Sequence, residues 1–157
     1  MTAPIFSIRS IEPRDIDAVF EMLCALADHE GEREFVTTSP ARLAETGFGD
    51  NPKWRGFITE HENRAVAYAT YTEDFHIWSG AQRITVDDIY VRSEFRRHGL
   101  GRKLMERVFS LARKADAYVS WNVQPGNERA IAFYEQLGAS YNVVGKCGWR
   151  PLNERDA

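Results

Sequence analysis

Between Ala81 and Leu111 the apolar residues change period once, and few folds accommodate that change at this spacing. Ile84 and Val86 alternate with Thr85 and Asp87, which predicts a strand over about Ala81–Val91. Leu100, Leu104, Val108 and Leu111 then share one face of a helix with basic residues near its end. The join is Arg96-Arg97-His98-Gly99-Leu100-Gly101, followed by Arg102. Glycines there let the backbone approach a ligand, and a helix start presents unpaired N–H groups that favour a pyrophosphate. Arg96, Arg97 and Arg102 add charge-assisted donors. A tight strand-to-helix turn with solvated arginines fits the same residues. The loop lacks the third glycine and downstream acid of a dinucleotide-binding unit, and it has no Gly-Lys-Ser/Thr of a P-loop.

The rest of the chain supplies more strands and helices of the same kind. Ile5–Arg9 reads as a first strand. Glu12-Pro13-Arg14-Asp15 opens a helix carrying Ile16, Val19, Phe20, Leu23 and Ala27 at helical spacing. That helix is expected to fade into the acid-rich segment from Asp28 to Glu34. Ser39-Pro40 opens a second helix, closed near Gly47. Strands over about Trp54–Glu60 and Ala65–Glu73 form a hairpin about the turn at 61–64. Ala117–Val123 reads as a further strand. Asn127 caps a helix running to Leu137 and stopped by Gly138, and a last strand or hairpin is expected over about Ala139–Pro151. Met105 and Phe109 read as core. The pattern is a mixed α/β single domain over residues 1–157, without repeats or linkers.

With 157 residues, of which 43% are hydrophobic and 27% charged, the chain can bury a core and stay soluble. A net charge of -3 argues against a nucleic-acid partner and suits a cationic small molecule. No apolar run reaches the roughly 18 residues of a membrane span. Residues 1–6 have no charged region followed by an apolar run, so no signal peptide is read there. Cys24 lies on an apolar helix face as a small hydrophobe. Neither it nor Cys147 has metal-ligand spacing, so no metal site is expected and a reduced cytoplasm is the default.

Taken in order, the strand, Arg-x-x-Gly-x-Gly, helix, strand, Asn127, helix and Phe133-Tyr134-Glu135-Gln136-Leu137-Gly138-Ala139 resemble the GNAT N-acetyltransferase superfamily. Within it the chain is most similar to the diamine branch, which acetylates spermidine, spermine or thialysine. The matching segments are Leu26–Glu30, Gly47-Phe48-Gly49-Asp50-Asn51-Pro52, Asp87-Asp88-Ile89-Tyr90-Val91 and Gly148-Trp149-Arg150. The resemblance spans about Ile5 to Arg150. It implies a mixed, mostly antiparallel sheet, flanked by about four helices and splayed at the acetyl-CoA site beside Ile89, Tyr90 and Val91. Ile89 and Val91 would give backbone contacts to the pantetheine arm. Arg96 and the run Arg97, His98, Gly99, Leu100, Gly101 and Arg102 would hold the pyrophosphate. Asn127 and Tyr134 would contact the cofactor from the later helix. A homodimer is implied as well.

The resemblance also implies the roles of the acids. A lysine-like amine has a pKa of about 10.4, so a base must remove a proton before the amine can attack a thioester. Asp87 stands at the branch's acid position, one methylene shorter than the glutamate usual there, which makes a bridging water more necessary. The departing thiolate, of pKa about 8.5, can take a proton from a tyrosine of pKa about 10, and Tyr134 stands where the family keeps one. Glu30, with His29 beside it, and Glu34 and Asp88 are the candidates to hold a distant ammonium. His98 reads as a surface residue. Lysine-like amino acids, aminoglycosides and peptide N-termini stay open as acceptors, and so does a non-catalytic acyl-CoA sensor.

Overall fold

A two-residue turn organises the first half of the molecule. Glu62 and Asn63 both have positive φ (49° and 63°), so His61 faces Arg64 and the flanking strands pair antiparallel. The computed structural model describes residues 4–149, which divide into two compact units, one running to Asn122 and one from Val123. In the first unit, strands β1 (Ser7–Ser10), β2 (Arg55–His61), β3 (Arg64–His76), β4 (Ala81–Val91) and β5 (Tyr118–Trp121) lie in chain order. Neighbours are antiparallel except β4 and β5, which are parallel because a full crossover helix, Leu100–Ala115, and not a hairpin, connects them.

Numbered in chain order, the helices are α1 (Ile16–Glu30), α2 (Pro40–Gly47), α3 (Leu100–Ala115) and α4 (Glu128–Gln136). Ile58 and Tyr68 are cross-strand partners on one face, where they form a buried cluster with Val19 and Met22 of α1. On the opposite face Phe57 lies under Arg107 of α3 (5.3 Å), and α3 buries Leu100, Leu104, Met105, Val108 and Ala112. Both faces are covered, so the central strand is buried without interruption from Val66 to Tyr71. Cys24 is buried as expected, and Phe109 is half-buried against Trp121 (6.2 Å).

Two expectations need correction. The first helix does not fade at Asp28. It keeps Asp28, His29 and Glu30 in its last turn, because Gly31 at φ 71° returns its N–H to Ala27 and Asp28. The last strand is also absent from the described residues: 139–149 form neither strand nor hairpin, and Val143, Val144 and Trp149 are exposed. A strand requires a ladder partner, which apolar pattern alone cannot supply. Arg150 and Pro151 lie outside the described residues, as do Met1–Ala3. The second unit holds α4, capped by Asn127, whose side chain accepts from the Ala130 N–H, and followed by Gly138 at φ 88°.

Candidate active site

A β-bulge in β4 sets the acid geometry. Thr70 pairs with Asp88 and Tyr71 with Val86, so Asp87 has no cross-strand partner. The extra residue resets the alternation. Val86 lies opposite Tyr71, which packs on Phe57 (5.9 Å) on the α3 face. Asp88 lies opposite Thr70, on the face that Tyr68 and Tyr90 turn to α1. Asp87 is open to solvent at its surface, yet the surrounding protein and then the Asp88 charge push its carboxyl up to about 6. Burial also raises Asp88, against the opposing effect of a long 3.4 Å bond from Thr70 Oγ1.

Asp88 meets the end of α1 in one pocket of about 280 Å³. Leu23, Ala27 and Glu30 come to it from α1, with Glu32 and Phe35 from the following turn. Glu30 titrates above the ordinary range, chiefly through burial and then through the Glu32 and Asp88 charges, with His29 opposing. No basic side chain lines this pocket, and neither Glu30, Asp87 nor Asp88 forms a salt bridge among the described residues. His29 is exposed on the last turn of α1, and Glu34 is exposed in the turn Arg33–Phe35; neither lines the pocket. Glu32 does, and sequence reasoning passed over it because three acids in five residues offer no periodicity to separate them.

The other element of the site is the loop into α3. Gly99 is the N-cap, at φ 71°, and Arg97 is also left-handed at φ 68°, a conformation that costs a non-glycine residue about 1 kcal/mol or more. The first turn of α3 has no acidic residue and no side-chain cap, so its N–H groups are left for a ligand. A side chain at Gly99 would meet no atom within 4 Å, so the approach to those donors is open. Arg97, His98 and Arg102 are exposed around it. These residues fit a pyrophosphate. Arg96 points elsewhere: its Nε donates to Val91 O (3.1 Å) and its guanidinium lies over Tyr90 (5.9 Å). The His98 ring rests on Phe6 (5.5 Å), with Nδ1 at 3.1 Å from both the Phe95 and Arg96 carbonyl oxygens, so it braces the loop.

β5 covers β4 only from Arg83 to Val86. From Asp87 to Val91, which includes Ile89 and Tyr90, β4 has no strand partner on its β5 side among the described residues. That is a splayed sheet edge next to the bulge and the loop. In the second unit Tyr134 is half-buried on α4 with its ring on Phe133 (5.1 Å), and Asn127 Oδ1 serves as the cap at 3.2 Å from Ala130 N.

Comparison with known proteins gives a consistent picture. The model of the acetyltransferase (GNAT) family matches residues 17–139. The thialysine N-epsilon-acetyltransferase of Sus scrofa is 29% identical over 151 residues, which span 90% of this chain and 88% of that protein. The spermidine/spermine N(1)-acetyltransferase-like protein 1 of Homo sapiens is 25% identical over 92% of this chain and 22% of its own length. Among solved structures, an aminoglycoside acetyltransferase from an uncultured soil metagenomic sample superposes with a TM-score of 0.76. It covers 94% of this chain and 97% of its own at 16% identity, a likeness of fold.

Proposed function

The chain belongs to the acetyltransferase (GNAT) family, and from that premise we propose that it acetylates a primary amine of a small di- or polycationic substrate. It is an N-acetyltransferase of a family whose co-substrate is acetyl-CoA. The observation that carries the substrate class is the pocket in which Glu30, Glu32 and Asp88 converge with no basic residue in its lining. Glu30 and Asp88, which form no salt bridge among the described residues, attract a cation and hold it by charge-assisted hydrogen bonds. Asp88 in its lining is the chain neighbour of the bulge acid Asp87, and in this reading a diamine held by its far ammonium presents its near amine toward Asp87.

In this reading acetyl-CoA supplies the thioester. Arg97, Arg102 and the α3 N–H groups bind its pyrophosphate, the Ile89 and Val91 backbone orients its arm, and Asn127 adds a contact. Asp87 removes the amine proton, directly or through water; a carboxyl titrating near 6 is ionised at neutral pH. Tyr134 returns a proton to the departing thiolate. Tyr134→Phe keeps the ring and removes only the hydroxyl, so kcat falls about 10²- to 10⁴-fold. Near-normal turnover in that variant would assign the proton to water.

A thiol-release assay tests the substrate class with diamines, polyamines, lysine analogues, aminoglycosides and peptides. Diamines and polyamines rank first; a preference for neutral or monocationic acceptors defeats the assignment. The lysine-like reading has its own support in the thialysine-acetylating relative. An amino acid brings a carboxylate into an acidic pocket, so this reading requires lysine to outperform its methyl ester, and the diamine reading requires the reverse. We extend the proposal to a single catalytic domain acting in the cytoplasm as a homodimer, which sedimentation of the purified protein tests.

A further inference from the structure

Tyr68 carries a hydroxyl that the fold does not use. Its side chain is fully buried, and Oη makes no hydrogen bond among the described residues. A buried polar atom without a partner opposes folding, and phenylalanine would fill the same space without that cost. The position of Tyr68 points to what the hydroxyl serves. Thr70 stands opposite Asp88, so Tyr68, two residues back on the same face, is the diagonal neighbour of Asp88, within reach of a long side chain. Its ring lies in the cluster against which Leu23 of the pocket wall packs. Burial first, and then the charges of Asp88, Cys24, Glu30 and Tyr90, keep the hydroxyl protonated and available as a donor.

Asp88 is loosely held. Its hydrogen-bond partner among the described residues, Thr70 Oγ1, is 3.4 Å away, beyond the usual range for an O–H···O bond. We infer that Tyr68 is a positioning residue for substrate recognition: its hydroxyl donates to the Asp88 carboxylate once a diamine's far ammonium enters the pocket, aiming that carboxylate at the cation. Tyr68 Oη is closed to solvent and does not itself touch the amine. The inference rests on the diamine reading, and it adds a residue that acts only through Asp88.

The test compares wild type, Tyr68→Phe and Glu30→Gln, each with a linear diamine (cadaverine) and the monoamine of equal length (pentylamine), together with thermal melting. Tyr68→Phe is expected to raise KM for cadaverine about tenfold, as loss of a hydrogen bond to a charged group implies. Its kcat stays unchanged, its KM for pentylamine stays unchanged, and its Tm is equal or higher. The rise in cadaverine KM at low pH also begins at higher pH in the variant, because Asp88 has lost a donor to its ionised form. An unchanged cadaverine KM, or an equal rise for both amines, overturns the inference. If Glu30→Gln raises KM for cadaverine but not for pentylamine in that case, the diamine pocket stands without Tyr68. If Glu30→Gln changes KM for the two amines equally, the diamine reading falls with it.

Discussion

The first unit holds two groups of acids, and they are built on opposite terms. At the β1 end, Arg9 stands between Asp15 and Glu60. Its Nη1 and Nη2 donate to the two Asp15 oxygens at 2.6 and 2.8 Å, and Nη2 and Nε donate to the two Glu60 oxygens at 2.7 and 3.2 Å. Burial pushes Asp15 up, but the Arg9 bonds, the Glu12 N–H and the Arg9 and Arg14 charges outweigh it and hold the carboxyl below its ordinary range. At the other group, Glu30, Asp87 and Asp88 all titrate above their ordinary range, with no salt bridge to any of them among the described residues. The same residue types tie β1, β2 and the start of α1 together in one place and leave charge unmatched in the other. Breaking a matched cluster costs stability because it strands a charge, while an unmatched one opposes folding and marks a candidate ligand site.

The largest effect that sharpens this contrast is expected at Asp87. Asp87→Asn removes the proposed base and is expected to lower kcat by about 10²- to 10⁴-fold. It also raises Tm at pH 8, because a carboxyl raised in the folded state destabilises that state once ionised. The gain shrinks as pH falls from above 6 toward the ordinary carboxylate range, where both states are protonated. Thermal melts from pH 4 to 8 measure it, and a variant less stable at pH 8 would break the contrast.

Glu30→Gln comes next. Loss of a charge-assisted bond of roughly 1.5–3 kcal/mol lowers kcat/KM for diamines about 10- to 150-fold and spares monoamines. The effect shrinks at high salt, where the wild-type attraction is itself screened. Equal losses for all amines would show that Glu30 does not read the second charge.

Arg9→Ala should do the opposite. Its side chain is 23% exposed and that of Asp15 is 8% exposed, so removing the cation strands two carboxylates in a half-buried place. A fully buried pair broken this way costs about 3–5 kcal/mol, and partial exposure lowers the figure to about 2–3. For a chain of this size that is a Tm loss of about 5–10 °C. Kinetic constants at a temperature where the variant is folded stay unchanged. The smallest effect is in the wild-type pH profile. kcat/KM declines as pH falls through about 6, where Asp87 takes up a proton, and Arg9→Ala leaves that midpoint in place.

Much of the framework was legible in the residues. Ser39-Pro40 does open a helix, with Ser39 Oγ accepting from Arg42 N, because a short hydroxyl satisfies an orphan N–H wherever it occurs. Gly138 and the cap at Asn127 end and begin α4 for similarly local reasons. The strand expected over 139–151 shows where such reasoning stops, since pairing belongs to two segments and the sequence of one does not contain it. The site divides in the same way. Gly99 and the arginines around it announce an anion-binding helix start by local rules. Nothing in Asp87-Asp88 announces that a bulge will turn Val86 and Asp88 to opposite faces.

The sequence by itself determined the elements up to α4, their order, the uncapped start of α3 and the family, because periodicity, caps and glycines act within a turn or two of the chain. Only the tertiary structure decided which acids share a pocket. Glu30 and Asp88 are 58 positions apart in the chain, and they meet because α1 packs on the face of β3 and β4 that the bulge assigns to Asp88. Glu32 reaches the same pocket and Glu34 does not, a choice made by the turn after Gly31. Tyr68 reads in sequence as one more apolar residue of a central strand. Its hydroxyl gains meaning only from what the fold places beside it, since burial and a missing partner are properties of the packed chain.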